Sequence, residues 1–256
     1  VARISAFDEP AVQEALRRSA PEVVIDELTA LPRDPSEMDS AAEGDRKLRL
    51  EGGGNLLRAA QATGVRRYIQ QSSGFFLRAG KGLGDESESL AVDASPSVAA
   101  SAQTYTQLEK RLQTAQGIEG VALRYGFFYG PNTWYNPDGA SADQVRKQQM
   151  PIIGKGEGVW SWIHIDDAAV ATVAALTCPA GVYNIVDDNP SPVHVWLPAF
   201  ARFVGAPEPP RVTEEQARAA VGEDPIYYQT KLRGASNRKA KEVLKFKPRI
   251  LEWLAS

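Results

Sequence analysis

The chain opens on a short apolar stretch, Ala2 to Ala6, whose pattern predicts a strand. Asp8 then stands as a helix cap, with Pro10 and Ala11 in the first turn. Val12, Leu16 and the Arg17–Arg18 pair give that helix one apolar stripe and one wet face. Residues 22–28 form a β-branched run, as in the buried strands of a parallel sheet, and Pro32 ends the segment after it. Residues 33–47 are charged and carry Pro, Ser and Gly, which predicts a loop or the frayed start of a helix. A helix is expected over 52–61 and a strand over 65–71. Residues 74–97 make a long polar connection with Gly80, Gly82, Gly84 and an acidic run from Asp85. A connection of that length is expected to be functional or mobile. A helix over 99–113 and a strand over 121–125 follow.

Strand and helix thus alternate at the spacing of β-α-β units, which predicts an α/β fold with a parallel, doubly wound sheet. After Pro131 the rhythm changes. Short helices are expected over 141–149, 167–176 and 192–204, and short strands over 151–153, 159–165 and 181–186. We therefore divide the chain into a cofactor-binding part, 1–130, and a smaller C-terminal α/β lobe, 131–256, packed on the sheet's carboxyl edge as one unit with it. Ligands of open α/β sheets bind at that edge.

Composition narrows the function classes. The 256 residues carry a net charge of −3, so nothing favours nucleic acid or an anionic membrane surface. Cys178 is the single cysteine, which excludes an intrachain disulfide and suits a reducing cytoplasm. Two histidines, His164 and His194, are too few for a histidine-rich metal site. No apolar run approaches the roughly 20 residues of a membrane helix. The first residue is Val, which leads us to expect residues upstream in the natural protein.

Four strings carry a resemblance. One is Glu51-Gly52 with residues 55–60, then 64–69 and Ser72-Ser73. The second is 123–126 with Tyr129-Gly130-Pro131. The third is 162–167 followed by 181–184. The last is 233–237 with Lys239 and Lys247-Pro248-Arg249. In this order and spacing they resemble the extended short-chain dehydrogenase/reductases, the NAD-dependent epimerase/dehydratase family, and within it the atypical oxidoreductases. The resemblance implies a Rossmann-like sheet, NAD or NADP as cofactor, a small hydroxylated or keto substrate, and a homodimer. The family's Gly-rich turn after its first strand is absent. Gly52-Gly53-Gly54 follows a charged loop and is not that turn. By resemblance Val1 falls near the family's third strand.

The family's chemistry needs a tyrosine base, a lysine four residues on, and a serine or threonine donor. Ser73 matches the serine position at a strand end. Tyr105 is the one tyrosine on the expected helix, with Glu109 where the lysine should stand. In a second register, counted back from Leu123-Arg124, Glu109 matches a glutamate of the family, Tyr105 takes the lysine position and Ser101 the tyrosine position. We prefer this register because it needs no gap before Leu123. In either, the tyrosine–lysine couple is broken. Catalytic candidates are therefore Ser73 and Tyr105. Leu28, Thr29, Ser72, Tyr125, Gly126, Phe127 and Phe128 are expected at the cofactor, and Phe75, Asn132, Trp134 and Tyr135 at the substrate. Residues 154–158 read as a hairpin turn more readily than as a phosphate cradle. Asp166 is expected to cap the helix that follows it, with His164 partly buried and satisfied. A cofactor-binding sensor or partner subunit without turnover is the alternative function.

Overall fold

Helix α1 (Glu9–Ser19) begins where the Asp8 carboxylate accepts the Ala11 backbone N–H at 3.1 Å. It ends on Ala20 in the left-handed conformation. This is a computed structural model, which describes residues 3–255. Strand β1 (Val23–Asp26) follows, then α2 (Met38–Lys47), α3 (Gly53–Ala62) and β2 (Arg67–Ser73). After a long connection come α4 (Pro96–Gln113), β3 (Glu119–Tyr125) and β4 (Phe127–Tyr129). The chain continues through α5 (Ala140–Arg146), β5 (Ile152–Ile153), β6 (Val159–Trp160), β7 (Trp162–His164) and α6 (Ile165–Ala174). It closes with β8 (Gly181–Ile185), β9 (Ser191–Pro192), α7 (Val193–Phe203), β10 (Arg211–Val212), α8 (Glu214–Val221), α9 (Glu223–Thr230) and α10 (Arg238–Val243).

The main sheet runs β1-β2-β3-β8, and every neighbouring pair is parallel. Val24, Tyr68 and Ala122 face α3 and α4 with Leu57 and Leu112. Ile69, Val121, Leu123 and Tyr183 face α6 and α10 with Ala171 and Ala240. A parallel sheet buried on both faces explains the apolar stretch Val121–Leu123 of β3, while β2 carries Tyr68 and Ile69 between polar residues. Each fully buried side chain there contributes roughly 1.5–3 kcal/mol. A second core joins β4, β7, α5 and α7 around Trp162, Trp196, Phe200 and Trp253.

Several expectations are corrected. Arg3 to Ser5 form no strand, and Ala2 lies outside the described residues. A strand needs a hydrogen-bonding neighbour, and among the described residues none pairs with this segment. The outer edge of β1 likewise has no partner strand among the described residues, and Ile25 stays 46% exposed. Residues 38–47 are helical, and the helix runs on through a five-residue π turn, Leu48–Gly52, into α3. A π turn leaves carbonyls out of line. Arg111 of α4 donates to two of them, Leu50 at 2.7 Å and Arg49 at 3.4 Å. A Cβ on Gly54 would stand 3.0 Å from that guanidinium, so the glycine run admits Arg111.

The 159–165 strand breaks into β6 and β7. The cap of α6 is His164, whose Nδ1 accepts the Asp166 N–H at 3.1 Å, not Asp166 itself. Residues 181–185 return to the main sheet beside β3, so the sheet draws its fourth strand from beyond Pro131. The 74–97 connection is held in place. Phe76, Leu77, Leu90 and Ala91 are buried, and Arg233 donates to the carbonyls of Lys81, Gly82 and Leu83 while pairing with Glu88. The 154–158 turn is also fixed: the carbonyls of Gly156 and Gly158 accept the first N–H groups of α7.

Two buried carboxylates are treated differently by the fold. Glu109 on α4 receives Arg124 of β3 through two 2.7 Å bonds and the Ser72 hydroxyl of β2 at 2.6 Å. Removing one member of such a pair strands the other, at about 3–5 kcal/mol. Glu109→Ala is therefore expected to lower stability by about that much, whereas the double change Glu109→Leu with Arg124→Met loses clearly less. Denaturant midpoints of the two variants check this.

Asp187, just past β8, is 2% exposed, and only its Oδ1 has a partner, the Asn189 N–H at 2.8 Å. Burial, reinforced by Asp188 and Asp167, pushes its pKa up to about 7 against the pull of the Asn189 N–H. A raised carboxyl pKa stabilises the fold at low pH, and that contribution is lost as pH rises through about 7. Asp187→Asn should therefore melt like the native chain below about pH 4, and gain on it progressively, by a few kcal/mol in all, as pH rises to about 7. Melting curves across that range test the sign.

Candidate functional site

The site grows out of the paired ends of β2 and β3. Ser73 lies opposite Tyr125, and the Gly74 N–H donates to the Tyr125 carbonyl at 2.7 Å. Gly126 passes so close to the β6–β7 junction that a Cβ would stand 2.5 Å from the Ser161 carbonyl oxygen. The two strand tips can therefore emerge side by side. Phe75 and Phe127 stack at 4.1 Å, and Trp160 covers the other side of Phe127 at 4.0 Å. Phe76 turns toward α4 and stacks with Tyr105 at 5.8 Å. The Tyr228 ring stands at 6.3 Å from both Phe76 and Phe127.

Ser73 and Ser72 part company here. The Ser72 hydroxyl is committed to Glu109. Alternation along β2 follows from the pleat, and it keeps Ser72 on the α4 side. The Ser73 hydroxyl is buried and has no hydrogen-bond partner in the protein. Tyr105 lies on the inner stripe of α4 with Val98, Ala102, Glu109 and Leu112. Burial raises its pKa. The Arg49 guanidinium, 5.4 Å from its ring, pulls back, and Asp45 adds to the rise. Tyr105 is thus a neutral phenol near pH 7, a donor and not a base. Glu109 does not act on it, because its oxygens belong to Arg124 and Ser72.

Other expected residues are placed elsewhere. Leu28 donates its N–H to Asp26, and Thr29 bonds Asp45 and Arg49, so both brace the loop after β1. Tyr125 and Phe128 pack on the α6 face, where the Tyr125 hydroxyl meets Thr172 at 2.6 Å and Glu27 at 3.3 Å. Tyr135 fills the second core among Trp160, Trp162 and Trp196. Asn132 takes a left-handed turn at the surface, and the Trp134 indole N–H donates to the Arg33 carbonyl. Ser73, Phe75, Phe127 and, through Phe76, Tyr105 are the expected residues that the fold gathers.

Sequence reasoning passed over Arg49, Phe76 and Tyr228. Arg49 had no signal, because a π turn aims it inward against Asp45, Gln71 and Thr29. Tyr228 sits on a helix remote in sequence, and its pKa is raised by burial, then by Asp224 and Tyr105. Glu27 is exposed at the sheet edge, yet the crowding of its carboxyl raises its pKa to about 7, with Tyr125 pulling back and Asp26 adding to the rise. A separate cleft of about 430 Å³ lies between residues 79–83 and 230–234.

The free hydroxyl of Ser73 at a strand end fits the reacting end of a nicotinamide cofactor. The chain holds no Gly-x-x-Gly-x-x-Gly turn for its pyrophosphate. Among the described residues no group of three or more His, Cys, Asp and Glu side chains could hold a metal ion, and no helix is long and apolar enough to cross a membrane.

Known proteins share this architecture. The UDP-glucose 4-epimerase of Thermotoga maritima, solved with UDP-glucose, superimposes with a TM-score of 0.73 at 21% identity, over 98% of this chain and 80% of that one. The dTDP-glucose 4,6-dehydratase of Streptomyces venezuelae, solved with NAD, gives 0.73 at 18% identity, over 97% and 74%. At such identities the likeness is one of fold. A 3-diazoavenalumate denitrifying reductase of a Streptomyces species is 38% identical over 251 residues, 97% of this chain and 82% of that protein. The model of the NAD dependent epimerase/dehydratase family matches residues 2–186. The chain belongs to the NAD dependent epimerase/dehydratase family, a family of NAD-dependent enzymes.

Proposed function

We propose that the chain works as an NAD- or NADP-dependent reductase on a small hydroxylated or keto substrate, held at the carboxyl ends of β2 and β3. The observation that carries this reading is the Ser73 hydroxyl, buried at that edge and free of protein partners. The 38% identical relative is a reductase, which favours that direction over epimerisation or dehydration. The cofactor, when bound, supplies or accepts hydride. Ser73 Oγ–H would donate to the substrate oxygen and polarise its bond to carbon, a role that needs no base. Tyr105, kept protonated by burial, would supply a second donor or a wall. Ser73, Phe75 and Phe127 are the residues we place at the reacting centre. A cytoplasmic setting suits the buried, unpaired Cys178. A homodimer finds support in Val170 and Val173, each 64% exposed on α6, and sedimentation tests it.

Steady-state turnover of Ser73→Ala and Tyr105→Phe, followed by nicotinamide absorbance, tests the assignment. Ser73→Ala is expected to lower kcat by about 10²–10³-fold, as loss of a positioned donor does. Tyr105→Phe should cost less than about tenfold, far below the roughly 10²–10⁴ that goes with a true general base. Abolished activity in Tyr105→Phe with activity kept in Ser73→Ala would make Tyr105 the base after all. Nicotinamide binding without turnover of any substrate would point to a sensor.

A further inference from the structure

A small crevice lies where Arg49 meets the carboxyl ends of β1 and β2. It measures about 10 Å³ and is lined by Asp26, Leu28, Arg49, Gln70, Gln71 and Leu108. One water molecule needs roughly 10–15 Å³ of this kind of space, so nothing larger fits. The walls are deeply buried: Gln70 is 3% exposed, Arg49 4% and Asp26 5%. Gln70 Oε1 is shut off from solvent, and no protein group among the described residues donates to it. A buried acceptor left without a donor is costly. A crevice beside such an oxygen calls for a guest that donates a hydrogen bond.

The other walls narrow the chemistry of that guest. Asp26 accepts the Leu28 N–H at 3.1 Å through Oδ1 and the Tyr68 hydroxyl at 2.6 Å through Oδ2. A carboxylate offers about four acceptor sites, so Asp26 can take a further donor. Arg49 uses one N–H each on Asp45, Gln71 and Thr29, and a guanidinium has more donors than that. Arg49 disfavours a cation and Asp26 an anion, and a space this small would strip either of its hydration. A neutral molecule that both donates and accepts suits all three walls. We propose that one water molecule is bound here as a lasting part of the fold. It donates to Gln70 Oε1 and to the Asp26 carboxylate, and it accepts from the Arg49 guanidinium. About three partners is the usual number for a buried water. The bridge joins β1, β2 and the π turn at the carboxyl edge of the sheet. Arg49 stands 5.4 Å from the Tyr105 ring, so the same water helps to fix the cation that faces that phenol.

High-resolution diffraction from crystals of the native chain and of Gln70→Met is the test. Native density is expected to show one fully occupied peak within about 2.7–3.2 Å of the Gln70, Asp26 and Arg49 side chains. Gln70→Met keeps the length of the side chain but removes its oxygen, and should lose or weaken that peak. Its denaturant midpoint should also fall, because Asp26 and Arg49 lose the bridge. A native map with no peak there, or a peak unchanged in Gln70→Met, would overturn the inference. So would a variant midpoint above the native one, since the Gln70 oxygen would then be a group without any partner. An anomalous peak in the crevice after bromide soaking would make it an anion site instead, and would equally sink the proposal. None of these readouts involves turnover, so they stand apart from the Ser73 and Tyr105 kinetics.

Discussion

The ion pair between Glu109 and Arg124 ties together the elements on which the site is built. It joins the inner face of α4 to β3, and through Ser72 to β2, near the carboxyl ends of both strands. Tyr105 lies one turn earlier on the same helix face, so its position is inherited from the anchor. Ser73 and Tyr125, the next residues along the two strands, are likewise fixed by where Ser72 and Arg124 are held. Two charges out of water are costly unless geometry and extra hydrogen bonds compensate. Here the bidentate contact and the serine hydroxyl supply both. One nitrogen of Arg124 remains without a partner, so the compensation is incomplete.

Arginine is used throughout as a brace. Arg111 takes carbonyls that a π turn leaves out of line, Arg49 joins the loop after β1 to α2, and Arg249 binds Asp167 and faces His164. The planar fork suits such work because it can engage several oxygens at once. One consequence is a site whose character comes from aromatic faces and single hydroxyl groups, with its nearby positive charge already neutralised.

The general layout was legible because β-α-β units leave a strong imprint: apolar runs at strand length, separated by helices of 3.6-residue period. The Asp8 cap, the main helices and the strands expected over 65–71 and 121–125, which run Arg67–Ser73 and Glu119–Tyr125, follow from that imprint. Residues 33–47 were legible only as a loop or the frayed start of a helix, since the polar face of 38–47 hid a segment that gains order from the continuing α3. Nor could periodicity tell that residues 181–185 belong to the main sheet, because strand neighbours are a long-range choice. His164 took the cap from Asp166 through its ring nitrogen, a contact that depends on the chain path between β7 and α6. At the site, Ser73 and the aromatics after the strand ends could be read from position. Arg49 and Tyr228 could not, because only the folded backbone brings them near Tyr105 and Phe76.

Arg233 fastens the 79–84 segment by its main-chain carbonyls, with Glu88 as the charged partner. The clamp is therefore indifferent to the side chains it holds. Lys81 and Leu83 can be exchanged without changing what Arg233 grips, while the segment stays in register with Gly234 through the Gly84 N–H. Position and chemistry are uncoupled along this stretch. Single replacements there reshape the wall of the 430 Å³ cleft with no accompanying repair of the fold.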